Sequence, residues 1–439
     1  MVLRPRATFV AVIAALGLLA ASAATASASV ALDPIAPVSS EPAWTVGNAL
    51  GRTQAWLQTA WATDCPPPSG ACATDSGPYT GVFWSRAATG PSPAWSQPAR
   101  ISQHRRHASR PTLAASGTDV YVAWVTRRSY LHPKPSSPRL LWVRASSDEG
   151  DHWEAPIRLS ALGGRVDFPV AAASGSDAWV VWTNADSGAI RMASSIDDGL
   201  TWTTTAIGQT DAGASSVAGF RGFPAIGASG ADTMAAWIDD DAGRIVALTS
   251  TVGGSDWSSG STPTELIGSG PHGGSDYPAV RGADDGASTN VAVAYATRDG
   301  IEARVFDGSA LSQAATVAGP WPTTIAGHRY DDGYGPAVAP FGPEGLAVSW
   351  AACRHRSALR DPCSPGALRA RIDVVERESS DGGSTWSSFV RLALAHAGAG
   401  IDEAPSVEAG AAGARWFLWL HRNARWSSYV VQGRSATAS

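Results

Sequence analysis

The 439-residue sequence has almost no lysine: Lys134 is the only one, so 32 of the 33 basic residues are arginine. With arginine used so uniformly, no single arginine is evidence of an anion site. Charged residues make up 16% of the chain, hydrophobic residues 44%, and the net charge is −5. That balance excludes a disordered chain and a general nucleic-acid binder, so no nucleic-acid partner is expected. His-Glu-x-x-His, Gly-x-Ser-x-Gly, Cys-x-x-Cys and Asn-x-Ser/Thr are all absent. The chemistries and modifications those motifs carry therefore have no support. Gly268-x-Gly270-x-x-Gly273 matches a dinucleotide fingerprint in letters only, because no helix follows it. No cofactor is expected. Asp239-Asp240-Asp241 has the ligand type for Ca²⁺ but equally reads as a solvated turn.

Long apolar runs are also missing beyond the N-terminus, and the mean hydropathy is −0.06, so no later segment reads as a membrane span. Arg4 and Arg6 precede an apolar stretch from Ala7 to about Ala24, followed by Ala26-Ser27-Ala28. This pattern predicts a secretory signal peptide over 1–28, a linker over 29–40 and a secreted, extracellular chain over 41–439. The alternative is a retained single-span anchor. Four cysteines in an exported chain suggest two disulfides, and four allow three pairings. Cys65–Cys72 and Cys353–Cys363 are favoured, because each pair brackets a short proline-rich loop.

Glycine (46) and tryptophan (19) are plentiful, which points to many turns and short strands. The chain repeats itself. An apolar run opened by proline recurs at Pro111, Pro169, Pro224, Pro278, Pro336 and Pro405. An alternating strand follows each, ending in Trp124, Trp182, Trp237, Tyr295, Trp350 and Trp419. A third element is Ser-x-Asp-x-Gly-x-x-Trp, at Ser146, Asp148, Gly150, Trp153; at Ser195, Asp197, Gly199, Trp202; and at Ser379, Asp381, Gly383, Trp386. The copy from Ser250 to Trp257 has Val252 in place of the aspartate. Such a motif reads as a hairpin tip, with Asp accepting turn N–H groups, Gly supplying φ > 0 and Trp anchoring the next strand.

These motifs are Asp-boxes (BNR repeats), and through them nearly the whole mature chain resembles the sialidase-like β-propellers. The resemblance implies an all-β ring of four-stranded blades, with the boxes away from the functional face. Seven units are expected, at about 49–108, 109–166, 167–221, 222–275, 276–333, 334–402 and 403–439, six blades being the alternative. Strand one should begin at the proline. The last unit has room for three strands only, and its fourth is expected from Pro42-Ala-Trp44-Thr-Val. Residues just before the prolines should then gather at the shaft: Arg110, Asp167, Phe168, Arg221, Phe223, Asp276, Tyr277, Tyr334, Asp402 and Glu403. Such a set reads as a self-neutralising ring of ion pairs or as a ligand pocket. The loop with His328, Arg329, Tyr330, Asp331 and Asp332 reaches the same face, as do long loops carrying the cysteines, Tyr130, His132, Lys134, Arg354, His355, Arg356 and Arg360.

The resemblance also implies chemistry: an arginine clamp for a carboxylate, a tyrosine nucleophile paired with glutamate, and an aspartate acid/base. The Phe/Tyr-Arg-Ile-Pro motif is absent, and Arg110 lies one residue too close to its proline, which in a regular strand turns it to the other face. Tyr334 with Glu403 stand in for the nucleophile pair, Asp167 or Asp276 for the acid. Arg110, Arg221, Arg281 and Arg329 are the clamp candidates, Arg281 lying toward the far end of its strand. Tyr277, Tyr330, Asp331 and Asp402 complete the expected ligand contacts. The expectation is a monomeric propeller that binds an extracellular glycan or glycoconjugate and acts on it as a glycoside hydrolase of sialidase type. The alternative is a non-catalytic interaction scaffold. The clamp requires its arginines to share a pocket; arginines that pair off with acids argue against hydrolysis.

Overall fold

A computed structural model of the chain describes residues 30–39, 49–50, 55–63, 81–88, 95–103, 107–127, 138–210, 222–239, 244–267, 278–283, 289–297, 299–325, 327–354, 372–393, 401–409, 415–422 and 428–436. The signal peptide expected over 1–28, Cys65, Cys72 and Cys363 lie outside these residues, as do Arg221, Asp276 and Tyr277. Cys353 is buried and is not a free thiol.

Among the described residues there are only strands and turns, and every strand pairing is antiparallel within a sheet. β1 (Val30–Ser39) comes first in the chain. The first sheet follows, with β2 (Ala49–Leu50), β3 (Ala55–Thr63), β4 (Gly81–Ala88) and β5 (Ala99–Arg100). The second holds β6 (His107–Ser116), β7 (Asp119–Arg127), β8 (Arg139–Ser146) and β9 (Ile157–Arg158). The third holds β10 (Val166–Ser174), β11 (Asp177–Asn184), β12 (Ala189–Ser195) and β13 (Thr203–Gln209). The fourth holds β14 (Ala225–Ser229), β15 (Asp232–Asp239), β16 (Arg244–Ser250) and β17 (Thr264–Ile267). The fifth holds β18 (Ala279–Gly282), β19 (Val291–Ala296), β20 (Ile301–Phe306) and β21 (Ala315–Ala318). The sixth has five strands, β22 (Thr323–Ile325), β23 (His328–Phe341), β24 (Gly345–Arg354), β25 (Ile372–Ser379) and β26 (Val390–Ala393). In the last, β27 (Ile401–Ala409), β28 (Arg415–Arg422) and β29 (Ser428–Ala436) are joined by β1.

Successive inner strands pack side by side: β6 on β10, β10 on β14, β14 on β18, β18 on β23 and β23 on β27, while β1 lies against β3. This is the architecture of a β-propeller. Two expectations need correction. The N-terminal chain does complete the last sheet, but through Val30–Ser39 paired with β29, not through 42–46, so the stretch read as a linker is a strand. Its register with β29 shifts between Leu32 and Ile35, across Asp33-Pro34, and again between Ile35 and Val38, so no clean alternation marks it in the sequence. Strand one begins just after its proline in β14 (Pro224) and β18 (Pro278), as expected, but not elsewhere. β6, β10, β23 and β27 start upstream of it.

The repeated aromatics explain why the sheets stack. Trp124 belongs to a core with Ala60 and Val82 of the first sheet, and Trp182 to one with Val125 and Leu141 of the second. Trp237 joins Trp179 and Val181, and Tyr295 joins Ala236 and Ile245. Trp350 joins Ala294 and Ile301, and Trp419 joins Ala347 and Val374. In each case the aromatic ending strand two drives back into the preceding sheet. No sheet could bury both faces alone; a neighbour on each side can.

The Ser-x-Asp-x-Gly-x-x-Trp hairpins are clamps between sheets as well as local turns. Ser146 Oγ donates to Asp148 (2.9 Å) and accepts from Gly150 N–H (2.8 Å), and the same two bonds recur at Ser195 and Ser379. At Ser250, where Val252 replaces the aspartate, the bond from Gly254 N–H survives at 2.9 Å. The glycine has a second reason to be there. A Cβ on Gly150 would meet the Trp84 ring of the preceding sheet at 2.3 Å, and one on Gly199 would meet Tyr121 at 2.9 Å. Trp153 packs edge-on against Trp84 (5.4 Å) and Trp202 against Tyr121 (6.4 Å).

Arginine is not interchangeable with lysine at every position, contrary to what the compositional bias suggests. Arg144 donates to the carbonyls of Glu154 (2.5 Å), Trp153 (3.2 Å) and, in the sheet before, Ile101 (3.4 Å). Arg377 does the same to Ser387, Trp386 and Val317. Three donors held in one plane reach three carbonyls, which an ammonium cannot reproduce.

Gly150→Ala combines a positive φ of 89° with the Trp84 overlap and should lose about 2–4 kcal/mol. Gly175→Ala also has a positive φ (59°) but meets open space, and should lose only about 1 kcal/mol. Chemical denaturation of both variants checks the difference; equal losses would remove the inter-sheet role of the motif glycine.

Candidate functional site

In four repeats the residue before the proline marks a common device at the axial end of the inner strands. Register breaks between Ser109 and Thr112, between Asp167 and Val170, between Tyr334 and Ala337, and between Glu403 and Ser406. In each case the residue before proline and the proline itself form the bulge. Arg110 (φ 51°), Phe168 (φ 48°), Phe223 (φ 35°) and Gly335 (φ 56°) are left-handed there. A left-handed non-glycine residue costs on the order of 1–2 kcal/mol, so three of them at one repeat position are a set held by their surroundings. The bulge also breaks strand alternation. Strand parity therefore does not fix the direction of the Arg110 side chain, which reaches Asp167 and Phe168 of the next sheet.

Three of these left-handed residues touch in sequence. The Arg110 guanidinium stacks 4.4 Å from the Phe168 ring centroid, and Phe168 lies 4.3 Å from Phe223. Below them, Asp167 is buried between two arginines of the preceding sheet. Its Oδ1 pairs with Arg110 and its Oδ2 with Arg139 Nη1 at 2.6 Å. An acid/base catalyst needs a carboxyl oxygen aimed at substrate; both oxygens of Asp167 are committed. Burial, with Arg127 and Arg165 alongside, pushes Arg139 down to about 10, so it stays charged at neutral pH.

On the sixth sheet, Tyr330 is corrected from ligand contact to core residue. Its ring is fully buried with Trp350 and Ile325, and its hydroxyl donates to Asp373 Oδ2 at 2.5 Å. Arg354 Nε lies 3.4 Å and Arg391 Nη1 4.0 Å from the same oxygen. Burial first, then the Asp373 carboxylate, pushes Tyr330 up to about 12. Arg329 is exposed and paired with Asp331 at 3.1 Å. Arg281 sits beside Gly227, where a Cβ would come 2.7 Å from the arginine backbone. It lies three residues beyond Pro278, below the ring of bulges. Asp239 is paired with Arg244 at 2.5 Å; Asp240 and Asp241 lie outside the described residues. No group of three metal-ligating side chains occurs among the described residues.

Tyr334 and Glu403 occupy the same repeat position, two residues before proline, on the adjacent strands β23 and β27. Asp402 precedes Glu403 on β27. Sequence reading missed Arg127, Arg139, Arg165, Asp373 and Arg391. Asp373 carried a signal, a lone acid in the apolar run Ile372-Asp-Val-Val. Arg127 and Arg139 did not, because only the register makes them neighbours.

No known family and no curated protein matches this sequence. Among solved structures it is similar to the phage phi92 endosialidase (9% identity, 94% of this chain, 69% of that one, TM-score 0.47). It is also similar to a Trypanosoma rangeli sialidase in complex with sialic acid (10% identity, 92% of this chain, 58% of that one, TM-score 0.45). A third is an α-L-arabinofuranosidase from Fusarium graminearum (11% identity, 93% of this chain, 98% of that one, TM-score 0.44). Among the described residues no helix is long and apolar enough to cross a membrane.

Asp167→Asn leaves Arg110 and Arg139 facing each other without their carboxylate, and should destabilise the fold by roughly 3 kcal/mol in chemical denaturation. Tyr330→Phe should cost roughly 1.5–3 kcal/mol, the loss of a hydrogen bond to a charged group. Because the folded pKa is raised, the tyrosine's contribution is complete below its unfolded value of about 10 and is lost as pH rises through about 12. The two stability curves should therefore converge over that window.

Proposed function

We propose that this is a secreted, sialidase-like Asp-box propeller that binds extracellular glycans at the axial face. The observation that carries this reading is the pairing of the polar groups there. Arg110 and Arg139 are paired with Asp167, Arg329 is paired with Asp331, and Tyr330 is buried on Asp373. A carboxylate clamp and a mobile proton both require groups not already neutralised by one another. The stacked Arg110, Phe168 and Phe223 instead supply a preformed aromatic and cationic wall of the type that packs on sugar rings. Export rests on the pattern of residues 1–28.

A second reading, hydrolysis, is favoured by one observation: Tyr334 and Glu403 stand at equivalent positions on neighbouring strands, as a nucleophile and its partner require. A fluorogenic sialoside assay on the mature chain, run beside glycan-array binding, separates the two. The expected outcome is glycan binding without turnover. Turnover lost in Tyr334→Phe would establish the hydrolase and overturn the binding reading.

A further inference from the structure

The chain is acidic as a whole but not uniformly. Residues 76–147 hold nine arginines and Lys134 against one acid, Asp119, while the rest of the chain holds 23 basic and 37 acidic residues. Folding concentrates part of this surplus at one place. Arg127, ending β7, lies directly opposite Arg139, opening β8. Arg139 is in turn bridged to Arg165, just before β10. Like charges directly opposite each other destabilise a sheet pair. Among the described residues two carboxylates face this group: Asp167, taken by Arg110 and Arg139, and Asp186, 3.4 Å from Arg165. Four guanidinium groups against two carboxylates leave an excess of two positive charges. Among the described residues Arg127 makes no ion pair, and its Nε and that of Arg165 are buried without an acceptor. The adjoining segments 104–106 and 128–137 contain no Asp or Glu that could supply one.

We infer that this edge between the second and third sheets is an anion site, with Arg127, Arg139 and Arg165 receiving a carboxylate or sulfate group carried on a sugar polymer. The inference deepens the glycan-binding reading and rests on it. Arginine forks match planar, two-oxygen anions. The acidic remainder of the molecule disfavours a long uniform polyanion such as a nucleic acid, which would run off the patch onto like charge. A saccharide bearing spaced anionic groups fits a local excess beside the aromatic wall of Phe168 and Phe223.

The test is titration of the full mature chain with polygalacturonate, dextran sulfate, neutral dextran and single-stranded DNA. The inference expects binding to at least one of the two anionic polysaccharides, weakened on going from about 50 to about 200 mM salt. It expects a loss of ~10-fold in Arg127→Gln and no change in Arg158→Gln, which removes an equal charge from the exposed outer strand β9. Arg127→Gln should unfold at the same or a higher denaturant concentration, because it relieves a like-charge pair, so lost binding cannot be ascribed to lost fold. Equal binding of neutral dextran, or equal effects of the two substitutions, would overturn the anion site while leaving glycan binding intact. Binding of DNA alone, or of none of the probes, would overturn both.

Discussion

The contact on which the rest of the molecule depends is the aromatic that ends strand two, driven into the sheet before it. Trp124, Trp182, Trp237, Tyr295, Trp350 and Trp419 each belong to a core shared with the preceding sheet. A four-stranded sheet has two faces to bury and cannot do so alone. Buried rings on one side and the neighbour's ring on the other solve that problem repeatedly. The motif hairpins close the same junction from below, with a glycine against Trp84 or Tyr121 and an arginine fanning its donors over carbonyls of two sheets.

Stacking in this way brings the proline ends of the inner strands to one face. There the backbone is strained at Arg110, Phe168 and Phe223, and the strain is offset by their mutual contacts. Among the described residues, Arg110 and Arg139 pair with Asp167 there, and Arg329 pairs with Asp331. At the edge between the second and third sheets, among the described residues, four guanidinium groups meet two carboxylates, and strand register is what brings them together.

Much of this could be read from sequence. The spacing of Pro111, Pro169 and Pro224 with their following aromatics is a period of sheets, and the Ser-x-Asp-x-Gly-x-x-Trp copies locate the hairpins. Less could be read of the site. Strand alternation cannot give the direction of Arg110, because a bulge interrupts the strand at Arg110-Pro111. The polar sequence around Tyr330 suggests a surface group; the ring is instead buried with Trp350 and Ile325, and its hydroxyl donates to Asp373, 43 residues away. The strand Val30–Ser39 is not legible locally, because its partner, β29, is at the other end of the chain.

The sequence by itself determined the class of fold, the order of strands and the hairpin tips, since each rests on interactions within a few residues or on a repeated period. Only the tertiary structure decided which charges meet. Asp167 is neutralised by Arg110 and Arg139, while Arg127 is left in excess. Ion pairing depends on distances of a few ångströms between residues from different strands and different sheets. Those distances are fixed by register and by the packing of one sheet on the next, neither of which is written in local sequence.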